Sequence, residues 1–297
     1  MSKTVLGIKR KWSIKAKLAC ALIVVFSSCL LALASFPGLS GRFDDPERLG
    51  GTIHILTTND FTLRWVEKEA FADAKLDLVF VHGTPGGAGV WAAQFQSPYP
   101  DADLFALDRP GFGGSGPSSR KPHLQMQVDA LFALVQSVTT NRVLLIGHSY
   151  GSPIVLLTAL EHPEKVSGVL LIGGDVDPAE EHPLWIQYVF NWRCTSWVLP
   201  RALRQCNREL LSVRADLAAM QPMLRSLRVP VVMLHGDRDP LVPVQNVDWL
   251  KNQLALAGKS RLFASIVLPG VNHFIPWEHP DEVAKAIGAV NDMAAGR

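Results

Sequence analysis

The chain has few cysteines and no excess of charge of either sign. Its 297 residues include four cysteines, none of them in a Cys-x-x-Cys pair, so the usual zinc arrangements are not predicted. The 29 basic and 27 acidic residues leave a formal net charge of +2. This near-balance argues against a nucleic-acid partner, which requires a strongly basic surface. We expect neither a metal nor an organic cofactor.

The first seventeen residues lack acidic side chains but carry six basic ones, and an uncharged run, 18–36, follows directly. Its nineteen residues are close to the roughly 20 that a helix needs to cross a bilayer. We therefore predict a cytoplasmic basic leader and a membrane-spanning anchor over residues 1–36. The rest of the chain then lies on the non-cytoplasmic side, periplasmic or extracellular in a bacterium. Ala32-Leu33-Ala34 resembles a signal-peptidase site, and cleavage there would give a secreted protein instead.

Residues 37–51, rich in glycine, proline and charge, are interpreted as a linker, and residues 52–297 as one folded domain. Short apolar runs alternate with helical patterns in this domain. We predict strands at 52–57, 61–67, 76–81, 104–107, 143–146, 166–172, 230–234 and 262–268, and helices at 123–138, 152–160 and 280–293. The alternation predicts an α/β fold with a mostly parallel central sheet and helices on both faces. Ligand sites then lie at the carboxyl ends of the strands.

A five-residue turn, Gly147-His148-Ser149-Tyr150-Gly151, separates the fifth predicted strand from a helix. Small residues two positions before and two after Ser149 permit a turn sharp enough to expose its hydroxyl. The N–H of Tyr150 lies at the start of the helix, where unpaired donors favour a developing negative charge. The turn therefore predicts Ser149 as a nucleophile and Tyr150 as an oxyanion donor.

Two glycine-rich loops follow predicted strands, at residues 82–87 (HGTPGG) and 108–116 (DRPGFGGSG). Together with the turn at Ser149, they resemble the α/β-hydrolase fold superfamily, in its serine hydrolase branch with a cap domain. The resemblance implies that the Thr84 N–H is the second oxyanion donor. It also implies that His82, Asp108 and Arg109 are scaffold residues rather than catalysts.

A serine nucleophile needs a base that takes its proton and a carboxylate that orients the base. The superfamily's order of serine, acid and histidine implies Asp239, two residues ahead of a Leu-Val-Pro run, as the acid. Asp237 and Asp175 are the alternatives. His273 lies on the loop after the last predicted strand, and it is the predicted base.

No strand is predicted between residues 176 and 229, where aromatic residues crowd a helical-looking stretch. The resemblance implies that this segment is a cap over Ser149. Its aromatic side chains then line an apolar acyl site, fill the core of the cap or contact a membrane. Cys194 and Cys206 lie in the same segment, either as a disulfide or as two free thiols.

These features together lead us to expect a serine hydrolase that cleaves an ester or related acyl bond of a small apolar or acyl substrate. Ser149 argues against epoxide hydrolases and haloalkane dehalogenases, relatives with an aspartate at this place. Carbon–carbon bond hydrolysis, aminopeptidase action and acyl transfer use the same triad and stay open. So does a non-catalytic ligand-binding protein on this fold.

Overall fold

An eight-stranded sheet forms the centre of the domain. The structure, a computed structural model, describes residues 45–296 apart from residues 72, 118–122, 140, 193–194 and 197–198. The strands are β1 Thr52–Thr57, β2 Thr62–Lys68, β3 Leu76–Val81, β4 Ala102–Asp108, β5 Arg142–His148, β6 Val166–Ile172, β7 Val231–Gly236 and β8 Phe263–Leu268. Their order across the sheet is β1-β2-β4-β3-β5-β6-β7-β8.

The sheet is mostly parallel, as predicted. β2 runs antiparallel to both of its neighbours, β1 and β4, and every other adjacent pair is parallel. The direction in which the chain crosses the sheet reverses between β3 and β5, which are neighbours. A crevice forms at the carboxyl ends of the strands at such a reversal. The loop after β3 and the turn at Ser149 after β5 therefore meet there.

Helices cover both faces of the sheet. They are α1 Ala92–Gln96, α2 Leu124–Val138, α3 Gly151–Glu161, α4 Trp185–Asn191, α5 Arg201–Met220, α6 Gln245–Leu256, α7 Ile275–Glu278 and α8 Pro280–Ala294, with 3-10 turns at Pro46–Leu49, Ala88–Trp91, Gln221–Ser226 and Ser260–Leu262. Alternate residues of β3 contribute to two separate cores, because successive strand side chains point to opposite faces. Val79 and Val81 pack with α2, α3 and α6, whereas Leu78 and Phe80 pack with α8.

The packed domain begins earlier than residue 52, so the predicted linker is wrong at its carboxyl end. Asp45 caps a 3-10 turn at Pro46–Leu49, and Leu49 is buried in the core on the α8 face. The turn orders this glycine- and charge-rich segment because it lets one leucine reach the core. The predicted membrane segment, 18–36, lies outside the described residues. Among the helices that are described, none is both long and apolar enough to cross a bilayer.

The insertion, residues 176–229 between β6 and β7, is mostly helical from Trp185 onward, and its described residues form no strand, as predicted. It contains α4 and α5. Val213 and Leu217 near the end of α5 join the core that α2 and α6 share. Cys206, also on α5, is a free and buried thiol, and burial raises its pKa to about 12. Cys206 therefore forms no disulfide in this structure, and Cys194 lies outside the described residues.

We predict that Gly151→Ala destabilises the domain by about 1–3 kcal/mol, the usual cost of overpacking. A Cβ at this position would lie 2.3 Å from the Val81 carbonyl oxygen, so the first turn of α3 would have to move away from β3. Gly288→Ala is the control, since a Cβ there, on the exposed face of α8, meets no atom within 4 Å. Urea unfolding should show lower stability for Gly151→Ala and equal or higher stability for Gly288→Ala. Equal stability of Gly151→Ala and wild type would contradict the close packing.

Candidate active site

Ser149 sits at the apex of the turn between β5 and α3 in a strained backbone conformation. Its φ is +53°, in the left-handed region that L side chains rarely adopt. Its N–H donates to the Ile172 carbonyl at 2.9 Å, which ties the apex to the end of β6. A Cβ on Gly147 would lie 2.4 Å from the Gly151 carbonyl oxygen. Both glycines are thus required by close backbone contact, as the sequence predicted.

Asp239 and His273 form a short hydrogen bond. The His273 Nδ1–H donates to Asp239 Oδ2 at 2.6 Å, and the N–H groups of Leu241 and Val242 donate to Oδ1 at 2.8 and 2.9 Å. Burial of the carboxyl opposes its ionisation, but the hydrogen bonds from His273 and the two N–H groups outweigh burial. The pKa of Asp239 is therefore lowered. A carboxylate held in this way fixes the imidazole tautomer with the proton on Nδ1, leaving Nε2 free to accept one.

The structure brings Ser149, Asp239 and His273 to the same edge of the sheet. A Cβ on Gly173, the residue after Ile172, would lie 3.2 Å from His273 Nδ1 and 3.4 Å from Asp239 Oδ2. Ser149 is hydrogen-bonded to Ile172 itself. The end of β6 therefore lies close both to the predicted nucleophile and to the predicted acid–base pair.

The loop after β3 lies directly against the nucleophile. A Cβ on Gly83 would be 2.8 Å from the Ser149 Cβ, so glycine is needed for this approach. Neither the Thr84 N–H nor the Tyr150 N–H donates a hydrogen bond within the described part of the chain. Two unpaired amide donors beside a serine hydroxyl can bind an oxyanion.

The two alternative acids have other contacts. Asp237 accepts a hydrogen bond from the Gly270 N–H at 2.6 Å, which joins the loop that carries the acid to the loop that carries His273. Asp175 is buried, and burial together with the neighbouring Glu181 raises its pKa well above the ordinary value. The hydrogen bond with the His273 Nδ1–H belongs to Asp239, so the geometry favours Asp239 as the acid.

Two further histidines support the pair, and the sequence analysis missed their roles. The His148 Nε2–H donates to the His273 carbonyl at 3.1 Å, and the two rings lie 4.7 Å apart between centroids. His235 lies buried beside Asp239, and its Nε2–H donates to the Val242 carbonyl at 3.0 Å. Burial lowers the pKa of both, to about 3 for His148. Their positions in the sequence could have indicated these roles, because His148 is next to Ser149 and His235 lies at the end of β7.

The residues interpreted as scaffold have scaffold contacts. The Asp108 carboxylate accepts from the N–H groups of Ala88 and Gly114 at 2.7 and 3.0 Å, and it pairs with Arg64. His82 accepts at Nε2 from the Arg109 N–H at 3.1 Å, and its Nδ1–H donates to the Gly83 carbonyl at 2.7 Å. Burial and the Arg109 charge hold the pKa of His82 well below its ordinary range. His82 is therefore neutral and acts as a link between loops.

The aromatic residues of α4 do not form a core. Trp185 and Tyr188 of α4 and Trp192, directly after it, are 72, 55 and 61% exposed, and α4 buries none of its side chains fully. Of the three interpretations made from the sequence, filling the core of the cap is therefore wrong for these residues. Trp197 lies outside the described residues.

Residues 78–286 match the family model described as "Alpha/beta hydrolase family". The match covers more than half of the chain, and the fold and strand order agree with it. This chain therefore belongs to the α/β-hydrolase family.

Individual relatives agree with this assignment. Over 292 residues the chain is 27% identical to "Protein ABHD8" of Mus musculus, covering 83% of this chain and 61% of the mouse protein, so it spans about three fifths of that relative. A membrane phospholipase A, a bacterial virulence factor, is similar in structure at a TM-score of 0.64 and 19% identity, covering 96% of this chain and 100% of the other. An N-acyl homoserine lactonase, AidH, is similar in structure at a TM-score of 0.63 and 14% identity, covering 82% of this chain and 98% of the other. Identities this low show the fold alone.

We predict that the protein loses stability steeply below pH 6.5. Burial lowers the pKa of His82, His148 and His235 in the folded state, whereas an unfolded histidine has a pKa of about 6.5. Below pH 6.5 the unfolded chain binds protons that the folded chain does not. As the pH decreases below 6.5, the free energy of unfolding decreases by up to about 1.4 kcal/mol per pH unit for each histidine. For His148 this continues down to about pH 3.

Urea unfolding at pH 7.5, 6.5 and 5.5 measures this dependence. His148→Gln should reduce the slope below pH 6.5 by about one histidine's share, because glutamine binds no proton in the unfolded chain. A free energy of unfolding that is constant from pH 7.5 to 5.5 would show that the buried histidines do not stay neutral.

A paired substitution tests the choice of acid. We predict that Asp239→Asn lowers kcat by about 10⁴-fold for whichever substrate is hydrolysed, because an amide cannot hold the His273 Nδ1–H tautomer. Asp237→Asn is the matched control on the same loop, and its kcat should stay within tenfold of wild type. A larger loss for Asp237→Asn than for Asp239→Asn would reverse the assignment.

Proposed function

We propose that this protein is a serine hydrolase that cleaves a carboxylic ester or a related acyl bond. The observation that carries the proposal is the 2.6 Å hydrogen bond between Asp239 and His273 at the sheet edge where Ser149 occupies its strained turn. A left-handed serine and, at the same sheet edge, a histidine hydrogen-bonded to a buried ionised carboxylate have no evident packing purpose. Together they suit nucleophilic catalysis.

In the proposed mechanism the Ser149 hydroxyl attacks the substrate's carbonyl carbon. His273 Nε2 takes the hydroxyl proton, and the Asp239 carboxylate stabilises the imidazolium that forms. The N–H groups of Thr84 and Tyr150 bind the oxyanion of the tetrahedral intermediate. The intermediate collapses to an acyl-enzyme while His273 returns the proton to the leaving group. Water then cleaves the acyl-enzyme by the same steps.

Exposed apolar surface in the insertion and the names of relatives of similar fold both support an apolar acyl substrate. The exposed aromatic side chains of α4 offer apolar surface in the insertion between β6 and β7. The relatives of similar fold include a phospholipase and an acyl homoserine lactonase, whose names describe the cleavage of acyl compounds. The name of the mouse relative states no reaction. We therefore place esters with an apolar acyl chain first among the acyl substrates.

We also propose that residues 18–36 anchor the protein in a membrane, with the hydrolase domain on the non-cytoplasmic side. The proposal is supported by the uncharged nineteen-residue run and the basic leader before it. Fractionation of cells that express the full chain, followed by protease treatment of intact cells or spheroplasts, tests both location and side. Recovery in the soluble cytoplasmic fraction would contradict it.

The enzymatic proposal is tested with the full-length chain and p-nitrophenyl esters of increasing acyl length. We expect Ser149→Ala to lower kcat by about 10⁴-fold or more, since triad residues act as a unit. Ser152→Ala is the matched control: this buried serine is three residues further on and donates to the Gly147 carbonyl at 3.0 Å. Its kcat should stay within tenfold of wild type.

A residual rate of Ser149→Ala within tenfold of wild type would overturn the proposal. Folded wild-type protein that cleaves no ester of any length, but binds an acyl compound stoichiometrically, would support a ligand-binding protein instead.

A further inference from the structure

We propose that Arg109 and Glu209 are positioning residues that orient the oxyanion donor Thr84. They form a buried ion pair through which helix α5 of the insertion holds the peptide group between Gly83 and Thr84. The inference rests on the proposed function of Ser149, and it extends that site to a residue of the insertion.

The ion pair is bidentate and excluded from water. Arg109 Nη1 and Nη2 donate to Glu209 Oε1 and Oε2 at 2.9 and 3.1 Å. The side chains are 1 and 0% exposed. Gln127 of α2 and Gln205 of α5 also donate to Oε1, at 3.2 and 3.4 Å. The Glu209 carboxylate is therefore fixed from two helices, and it fixes the guanidinium in turn.

The same guanidinium holds the loop after β3. Arg109 Nε donates to the His82 carbonyl at 2.9 Å, and Nη2 donates to the Gly83 carbonyl at 2.9 Å. The His82 Nδ1–H donates to the Gly83 carbonyl as well, at 2.7 Å. Both carbonyl groups before Thr84 thus point toward Arg109.

The Gly83 carbonyl and the Thr84 N–H belong to one planar peptide group. In a trans peptide the N–H points opposite to the C=O. Holding the carbonyl on Arg109 therefore directs the Thr84 N–H away from Arg109. This peptide lies beside the nucleophile, because a Gly83 Cβ would be 2.8 Å from the Ser149 Cβ. If the peptide rotated, the carbonyl oxygen would face the oxyanion in place of the N–H.

The guanidinium also contacts the residue that carries the other candidate donor. Its central carbon lies 5.1 Å from the centre of the Tyr150 ring and 4.7 Å from that of Phe112. Arg109 thus touches both sides of the candidate oxyanion site. A purely stabilising role explains this arrangement poorly, since a buried ion pair is often no more stabilising than apolar residues of similar size. Lysine lacks the planar fork that serves a carboxylate and two carbonyls at once.

The test uses Arg109→Lys, Glu209→Gln and the double variant Arg109→Met/Glu209→Leu, assayed with the preferred ester. The double variant leaves no unpaired buried charge and is expected to fold where a single variant does not. Val213→Ala is the matched control, because Val213 is a buried residue of α5 one turn beyond Glu209. It weakens the packing of the same helix without contacting Arg109.

We expect kcat to fall about 10²- to 10³-fold in Arg109→Lys and in the double variant, as when one oxyanion donor is lost. KM should change less than about threefold, because the donor acts on the transition state rather than on the bound ester. Val213→Ala should lower the melting temperature while leaving kcat within about threefold of wild type.

A trifluoromethyl ketone of the same acyl length gives a second readout. Ser149 Oγ adds to its carbonyl carbon, the hydroxyl proton passes to His273, and the carbonyl oxygen becomes a stable oxyanion. Its inhibition constant should rise in each variant by about the same factor as kcat falls. An ion pair with a merely structural role would not change kcat and the inhibition constant by the same factor.

Variants that melt at lower temperature but keep the wild-type kcat and inhibition constant would overturn the positioning role alone. Wild-type protein without hydrolysis that depends on Ser149 would overturn the proposed function, and this inference with it.

Discussion

The left-handed backbone of Ser149 is the constraint on which the rest of the site depends. A residue in this conformation costs on the order of 1–3 kcal/mol, so its surroundings must hold it in place. β5 and α3 fix the chain on either side, and the absence of side chains at Gly147 and Gly151 lets backbone meet backbone. The N–H of Ser149 is bound by the end of β6. Because three elements converge on Ser149, a small displacement of the sheet edge would also displace the Ser149 hydroxyl.

Three of the buried histidines around Ser149 carry no charge. His82, His148 and His235 are buried and neutral, and each donates a hydrogen bond to a backbone carbonyl, of Gly83, His273 and Val242 respectively. Asp239 stays ionised because three hydrogen-bond donors face it. In the proposed mechanism the imidazolium of His273 therefore forms opposite one carboxylate, without other positive histidines beside it. The same burial makes the fold sensitive to acid, since each neutral histidine takes up a proton on unfolding.

The site is assembled from segments far apart in the chain. The loop after β3 carries one candidate donor, the turn after β5 carries the proposed nucleophile, and the loops after β7 and β8 carry the proposed acid and base. The ion pair between Arg109 and Glu209 adds the insertion to this set, over a separation of 100 residues. Substrate preference, through α4, and oxyanion geometry, through α5, are thus proposed to depend on the same insertion, so that changes in the insertion reach the chemistry through Arg109.

Residue chemistry and spacing alone determined the strands, the turn at Ser149 and, with the superfamily order, Asp239 and His273. These features are local, because a buried strand needs consecutive apolar residues and a sharp turn needs glycine. Helix α6 was also readable from the spacing of Val247, Leu250 and Leu254, but it was not predicted. Tertiary structure alone decided that Leu49 joins the core, that Glu209 pairs with Arg109 and that α4 leaves its aromatic side chains exposed. Each of these features depends on which residues, distant in the sequence, lie opposite a side chain. Short-range patterns in the sequence do not specify such long-range contacts.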